Sequence, residues 1–136
     1  MNSITRTLVP TPQRIAVSAS IFGIDFPMTV EPYIFHMTDS MAEDYTGGYW
    51  DFYTLSNGAF YMSLDAQRKY QVSCQNYFQG ELSGDALGIV ACLCAYSHLS
   101  FSNRADFARI CARQFHWLRD YAAELPDAAA IFRAID

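Results

Sequence analysis

Apolar residues recur along this chain with two periods, and the changes of period mark its elements. Thr11-Pro12 opens a short helix, with Thr at the cap and Pro in the first turn. It runs through Ile15, Ala16 and Ala19 to Phe22, where Gly23 stops it. Val30, Tyr33, Ile34, Met37 and Met41 keep helical spacing and predict a helix over about 30–42. Thr29 reads as its cap, Pro32 is tolerated in the first turn, and the opposite side carries Asp39 and Glu43. The period then shortens to two. Asn57-Gly58 is the preferred pair for a two-residue type I′ hairpin, pairing Leu55 with Phe60 and Tyr53 with Met62, after a turn at Gly47-Gly48. An isolated hairpin is marginal in water, so a third strand is expected around Tyr70 to Ser73.

Helical spacing returns at Ser83, which caps a helix to about Ser97, with Asp85 near its positive end. Residues Ala86 to Leu93 are apolar nearly all round, which marks a central buried helix, and Gly88 admits close backbone approach. Asn103 with Asp106 resembles a capping box for the next helix. Phe107, Ile110, Cys111, Phe115, Leu118, Tyr121 and Leu125 form its stripe, and Pro126 ends it. Asp127 caps a last short helix carrying Ile131 and Ile135. Strands followed by helices predict an α+β fold: a small antiparallel sheet built on a central hairpin, helices packed against it, in a single domain. Residues 1–12 read as a loose N-terminal tail within that 1–136 unit.

Composition agrees with one unit. The chain has 136 residues, 51% apolar and 15% aromatic, which at roughly 150 residues per domain supports one core without staples. No apolar stretch reaches the roughly 20 residues of a membrane span, and no signal peptide is evident, so a cytoplasmic location and no membrane partner are expected. The cysteines, Cys74, Cys92, Cys94 and Cys111, show no zinc-knuckle spacing and read as reduced thiols, mostly buried.

Charge narrows the partners. Net charge is −5 with a single lysine, so no direct DNA binding is expected. Seven acids and no Lys or Arg lie between Ile15 and Gln67. A duplex as long as a domain this size carries on the order of 20 charges, several times what this segment offers, so imitation of DNA is weakly supported.

Candidate chemistry is sparse. Cys94 and His98 stand i, i+4 on one helix, but two ligands fall short of the three or four of a zinc site. His36 has Asp39 nearby to orient it, without a nucleophile motif. His116 lies on the polar line Arg109, Arg113, Asp120, most simply a solvated helix face. Glu43, Asp44 and Asp51 bracket Tyr45 and Trp50. Paired carboxylates among aromatics leave open an alternative, a small hydrolase or carbohydrate-binding domain using residues 43–53. There is no phosphate-binding or nucleophile-elbow motif. No catalytic residue, cofactor or metal is expected, and a binding or inhibitory protein is favoured over an enzyme.

The run Tyr45-Thr-Gly-Gly-Tyr-Trp-Asp-Phe-Tyr-Thr-Leu-Ser-Asn-Gly-Ala-Phe-Tyr-Met62 resembles the signature segment of the ArdB/KlcA antirestriction family. Two further blocks fit in order and spacing: Gly80-Glu-Leu-Ser-Gly-Asp-Ala-Leu-Gly-Ile-Val90, and Leu118-Arg-Asp-Tyr-Ala122 followed by Ile131 to Asp136. Ala59 departs from the glycine expected there, while Asn57-Gly58 is kept. The resemblance implies a small α+β inhibitor carried by plasmids and other mobile elements. Such a protein relieves restriction of incoming DNA by host type I restriction–modification enzymes, through protein contacts direct or via another host factor, and is not a DNA mimic. The resemblance brings no binding residues with it. The uncompensated acids suggest one candidate protein-contact face, Asp39, Glu43, Asp44 and Asp51, and Glu81 with Asp85 a second. The alternative is that these are solvated charges at helix ends and loops.

Overall fold

The computed structural model describes residues 3–136. Along the chain it places strand β1 (Arg6–Leu8), helix α1 (Arg14–Phe22), helix α2 (Glu31–Met41), strands β2 (Asp51–Leu55), β3 (Phe60–Ser63), β4 (Lys69–Ser73) and β5 (Gln79–Ser83), then helices α3 (Gly84–Leu99), α4 (Ala105–Ala122) and α5 (Ala128–Ile135). The architecture is α+β, with two small antiparallel sheets and helices packed around them in one domain.

Helix α3 is the hub. Burial is unbroken from Ala86 to Leu93, and α2, α4, α5, β3 and β5 all pack on it. Its start follows the sequence reading: Ser83 accepts a hydrogen bond from the Ala86 N–H at 3.1 Å, satisfying one of the helix's free amides. Gly88 is required by contact. A Cβ there would stand 2.2 Å from the Met62 carbonyl oxygen, so β3 rests directly on the helix backbone.

Four local expectations change. The hairpin register is shifted by one residue: Tyr53 faces Tyr61 and Phe52 faces Met62. Leu55 N–H donates to the Ala59 carbonyl and Gly58 N–H to the Leu55 carbonyl, so the loop has three residues, Ser56, Asn57 and Gly58. Only Gly58 takes a left-handed φ, +101°. Asn57 is occupied instead by tertiary bonding, its Nδ2 donating to the Trp117 carbonyl at 2.8 Å. The third strand beside the hairpin is β1, not residues 70–73. Arg6 pairs with Leu55 and Leu8 with Tyr53, so the expected loose tail is an edge strand from Arg6 and Val9 is buried behind it. Strand β4 pairs with β5 in its own sheet, tied to the end of α2 by a bridge between Ala42 and Val72. At the helix ends, α4 begins at Ala105 after Arg104 rather than at an Asn103 cap, a π-type turn (Phe26–Val30) precedes α2 where Thr29 was expected to cap, and Asp127 precedes α5 without a side-chain cap bond.

The outer edge of β3 is closed by helix side chains rather than by a fourth strand. Phe60 N–H donates to Gln114 Oε1 at 2.8 Å, the Phe60 carbonyl accepts from the Tyr96 hydroxyl at 2.6 Å, and Met62 N–H meets Cys92 Sγ at 3.4 Å. These contacts satisfy backbone groups that would otherwise form an exposed edge. One face of the sheet carries an aromatic cluster in which Phe60 meets Phe22, Phe26 and Phe52 at ring separations of 6.1, 5.4 and 5.3 Å. On the other face Tyr61 stacks on Tyr53 at 5.3 Å and meets Tyr121 of α4 at 5.9 Å. No helix among the described residues is long and apolar enough to cross a membrane.

Candidate functional site

The six acids singled out from the sequence occupy different settings. Asp39 stands exposed on α2, and Glu43 and Asp44 are exposed just beyond its end. The Asp44 backbone carbonyl accepts from Arg68 at 3.0 Å. Asp51 opens β2 and pairs with Arg14 at 3.8 Å. Glu81 lies exposed on β5, where Gln71 donates to it at 3.2 Å. No hydrogen bond or ion pair among the described residues joins any two of the six.

Asp85 is the most engaged of them. In the first turn of α3 its Oδ1 accepts from Arg6 at 2.9 Å, from the Tyr61 hydroxyl at 2.8 Å and from Ser63 at 2.8 Å. Arg6 also donates to the Tyr61 oxygen at 2.8 Å and lies 4.2 Å over the Tyr53 ring. Burial pushes the Tyr61 phenol well above its ordinary value, and the neighbouring Asp85 carboxylate pushes it further. Burial opposes the charge on Arg6, but the Tyr61 hydrogen bond and the Tyr61 and Asp85 charges outweigh it and hold the guanidinium more firmly protonated than usual. The cluster therefore braces β1, β3 and α3 together, with the charges matched.

The aromatics of residues 43–53 are mostly scaffold. Trp50 is buried, its Nε1 donating to the Tyr45 hydroxyl at 3.2 Å and its ring packed on Phe35 at 5.6 Å. Tyr49 is exposed, and its hydroxyl accepts from Arg14 at 2.8 Å. Two of the three histidines and two of the four cysteines gather elsewhere, while His116 lies on α4 and Cys92 and Cys111 are buried in the core. Tyr33, His36, Cys74, Cys94 and His98 line a polar cleft of about 400 Å³. There Tyr33 bonds His98 Nδ1 at 2.8 Å, while His36 stands edge-on to Tyr33. Burial pushes the Cys94 thiol up to about 12, which makes it a poor nucleophile and a poor ligand. Among the described residues no three His, Cys, Asp or Glu side chains group as a metal site.

A second cleft, of about 470 Å³, opens between α1, the following turn and β2. Arg14 and Glu31 are its charged residues, and Ile15, Ile24, Pro27 and Phe52 contribute apolar wall. The Arg14 guanidinium lies 4.5 Å over the Phe52 ring and 4.7 Å over the Tyr49 ring, while its Nε is buried without a hydrogen-bond partner. Burial raises Glu31 above the ordinary carboxyl value, and Arg14 pulls it part of the way back. Sequence reasoning passed over this cleft. Its signal was Ile24, an apolar residue that fits neither flanking helical stripe.

The model of a family described as antirestriction protein matches residues 43–136. The chain belongs to the antirestriction protein family. The Escherichia coli antirestriction protein KlcA is 39% identical over 135 residues, spanning 98% of this chain and 95% of KlcA. The uncharacterized protein YafX of Escherichia coli K12 is also 39% identical, over 98% of this chain and 88% of its own length. A solved structure from work on KlcA and ArdB, described as having a novel fold and antirestriction activity against type I DNA restriction systems in vivo but not in vitro, superposes with a TM-score of 0.90. It is 39% identical and covers 100% of both chains. The family match takes in the hairpin, both strands of the second sheet and helices α3 to α5. The cleft at Arg14 and Glu31 lies mostly in the part of this antirestriction chain before residue 43.

Proposed function

We propose that this protein relieves restriction of incoming DNA by a host type I restriction–modification system, as an inhibitor acting through protein contacts, directly or through another host factor. The observation that carries this is the likeness over the whole chain, in sequence and fold, to a structure whose activity is described as present in vivo and absent in vitro. An activity lost outside the cell fits a route through a cellular component. The charge supports contact with protein rather than imitation of DNA, since −5 spread over a domain is far below the on-the-order-of-20 charges of a duplex of similar length. The exposed acids Asp39, Glu43 and Asp44 with the half-buried Asp51 make one candidate contact face, and the exposed Glu81 with Asp85 a second.

Plating of unmodified phage on a type I restricting host tests the reading. Expression of the protein is expected to raise plating efficiency, and equal plating with and without it overturns the proposal. Reversing Asp39, Glu43, Asp44 and Asp51 to Lys, with folding checked by circular dichroism, is expected to reduce relief. Unchanged relief removes that face.

A further inference from the structure

The corner between α1 and α2 leaves apolar surface open to solvent. Three large apolar side chains from one short stretch point to solvent: Ile15 (85% exposed), Ile24 (73%) and Met28 (70%). Ile15 and Ile24 border the 470 Å³ cleft, whose size lies within the roughly 300–1,000 Å³ of binding pockets. Its polar groups are few: Ser18 and the Arg14 guanidinium end are hydrogen-bonded within the protein, while Arg14 Nε and Glu31 are not. Buried donors are nearly always paired, yet Arg14 Nε has no partner, the one buried side-chain polar atom left so among the described residues. Glu31 on the same wall forms no ion pair among the described residues. The nearby acids Asp25 and Asp51 are paired with Arg104 at 2.7 Å and Arg14 at 3.8 Å, which leaves Glu31 as the carboxylate on this wall open to a basic group.

We propose that this cleft docks a segment of a partner protein that presents an aliphatic side chain beside a basic one. The aliphatic group covers Ile15 and Ile24, and the basic group meets Glu31. Like charge disfavours a second copy of this chain, which would bring its own acids against Glu31. As the docking face of an inhibitor the cleft rests on the antirestriction reading, so binding and relief are measured separately.

Binding is read by amide NMR on the full chain, titrated with the capped peptide acetyl-Gly-Leu-Lys-Leu-Gly-amide. Two controls carry Glu in place of Lys, or Ser in place of both Leu. The expected result is dose-dependent shifts at the Ile15, Ser18 and Ile24 amides, with affinity about tenfold above either control. Glu31→Gln should bring the Lys and Glu peptides to equal affinity. No shift, equal affinity for all three peptides, or shifts that follow protein concentration alone overturn the proposal. In cells, Ile15→Asp with Ile24→Asp changes exposed positions only. Loss of phage relief by this folded variant, where the parent relieves, supports the docking role, and full relief by it overturns that role. If the parent itself gives no relief, the antirestriction reading fails and the titration alone decides the cleft.

Discussion

At single residues the structure turns on close contact and buried chemistry. Gly88→Ala places a methyl group against the Met62 carbonyl, a backbone atom with nowhere to go, because β3 is held on its other side by β2. The cost should reach or exceed the upper end of the roughly 1–3 kcal/mol of an overpacked core, read as a lower urea midpoint with the fold otherwise kept. The thiols set a pH dependence. Burial pushes Cys92, Cys94 and Cys111 up to about 12, against an ordinary value of 9.0. Between those values the unfolded chain has lost protons that the native chain keeps, so stability is full below pH 9 and falls as pH rises toward 12. Urea midpoints measured from pH 8 upward should decline in that window, and Cys92→Ala with Cys111→Ala should flatten the slope. Ser83 and Gly88 were legible in the sequence because each acts within a helix whose apolar pattern is continuous. The Asn103 cap was not, since Arg104 and not Asn103 directly precedes the first helical residue.

At the scale of elements, the closure of β3 by helices makes the sheet depend on three side chains, of which Gln114 and Tyr96 hold the Phe60 backbone. Gln114 is buried in α4, accepts from Phe60 N–H and donates to the Gly58 carbonyl at 3.2 Å. Gln114→Leu keeps the volume and strands both backbone groups, at a cost of about 1–3 kcal/mol for each buried group left unmatched. Tyr96→Phe removes the hydroxyl donating to the Phe60 carbonyl and should lose about 1 kcal/mol or somewhat more. Thermal melts of the two variants check the order: Gln114→Leu should melt below Tyr96→Phe, and equal or reversed melting would show that the edge is not what these side chains hold. This dependence also explains the register error. Asn57-Gly58 correctly marked a hairpin tip, but local turn preference favours a two-residue loop, whereas Asn57 is drawn to the Trp117 carbonyl sixty residues away in sequence. A shift of one residue exchanges the faces of a strand, which moves Phe52 onto the side of Phe60 and Met62. The candidate cleft escaped notice for a related reason: Arg14, Glu31 and Phe52 come from three elements whose packing no local period records.

At the scale of the whole molecule, the two ends of the chain's first half meet, and that contact decides what the first residues are for. Strand β1 covers the edge of β2, Val9 N–H donates to the Phe52 carbonyl at 2.8 Å, Ser56 N–H donates to the Thr5 carbonyl at 2.9 Å, and Arg6 reaches Asp85 at the start of α3. None of this was legible as strand, because β1 is three residues long, exposed along its length and paired with residues almost fifty positions away. Two variants separate its contributions. Arg6→Ala removes a partly exposed ion pair, worth no more than about 1 kcal/mol, together with its hydrogen bond to Tyr61. Deleting residues 1–8 removes that and the ladder as well, leaving the β2 edge open beside the aromatic cluster. The deletion should therefore lower the melting temperature well beyond Arg6→Ala. It should also raise self-association in sedimentation, as an uncovered strand edge does. If the shortened chain melts with the parent and self-associates no more than it, β1 is dispensable and the brace on α3 rests on Tyr61 and Ser63 alone. If it melts early while Arg6→Ala is mild, the first residues act through backbone pairing. Loss of phage relief on truncation would then report the fold, whereas loss in the folded Ile15→Asp, Ile24→Asp variant would report the cleft.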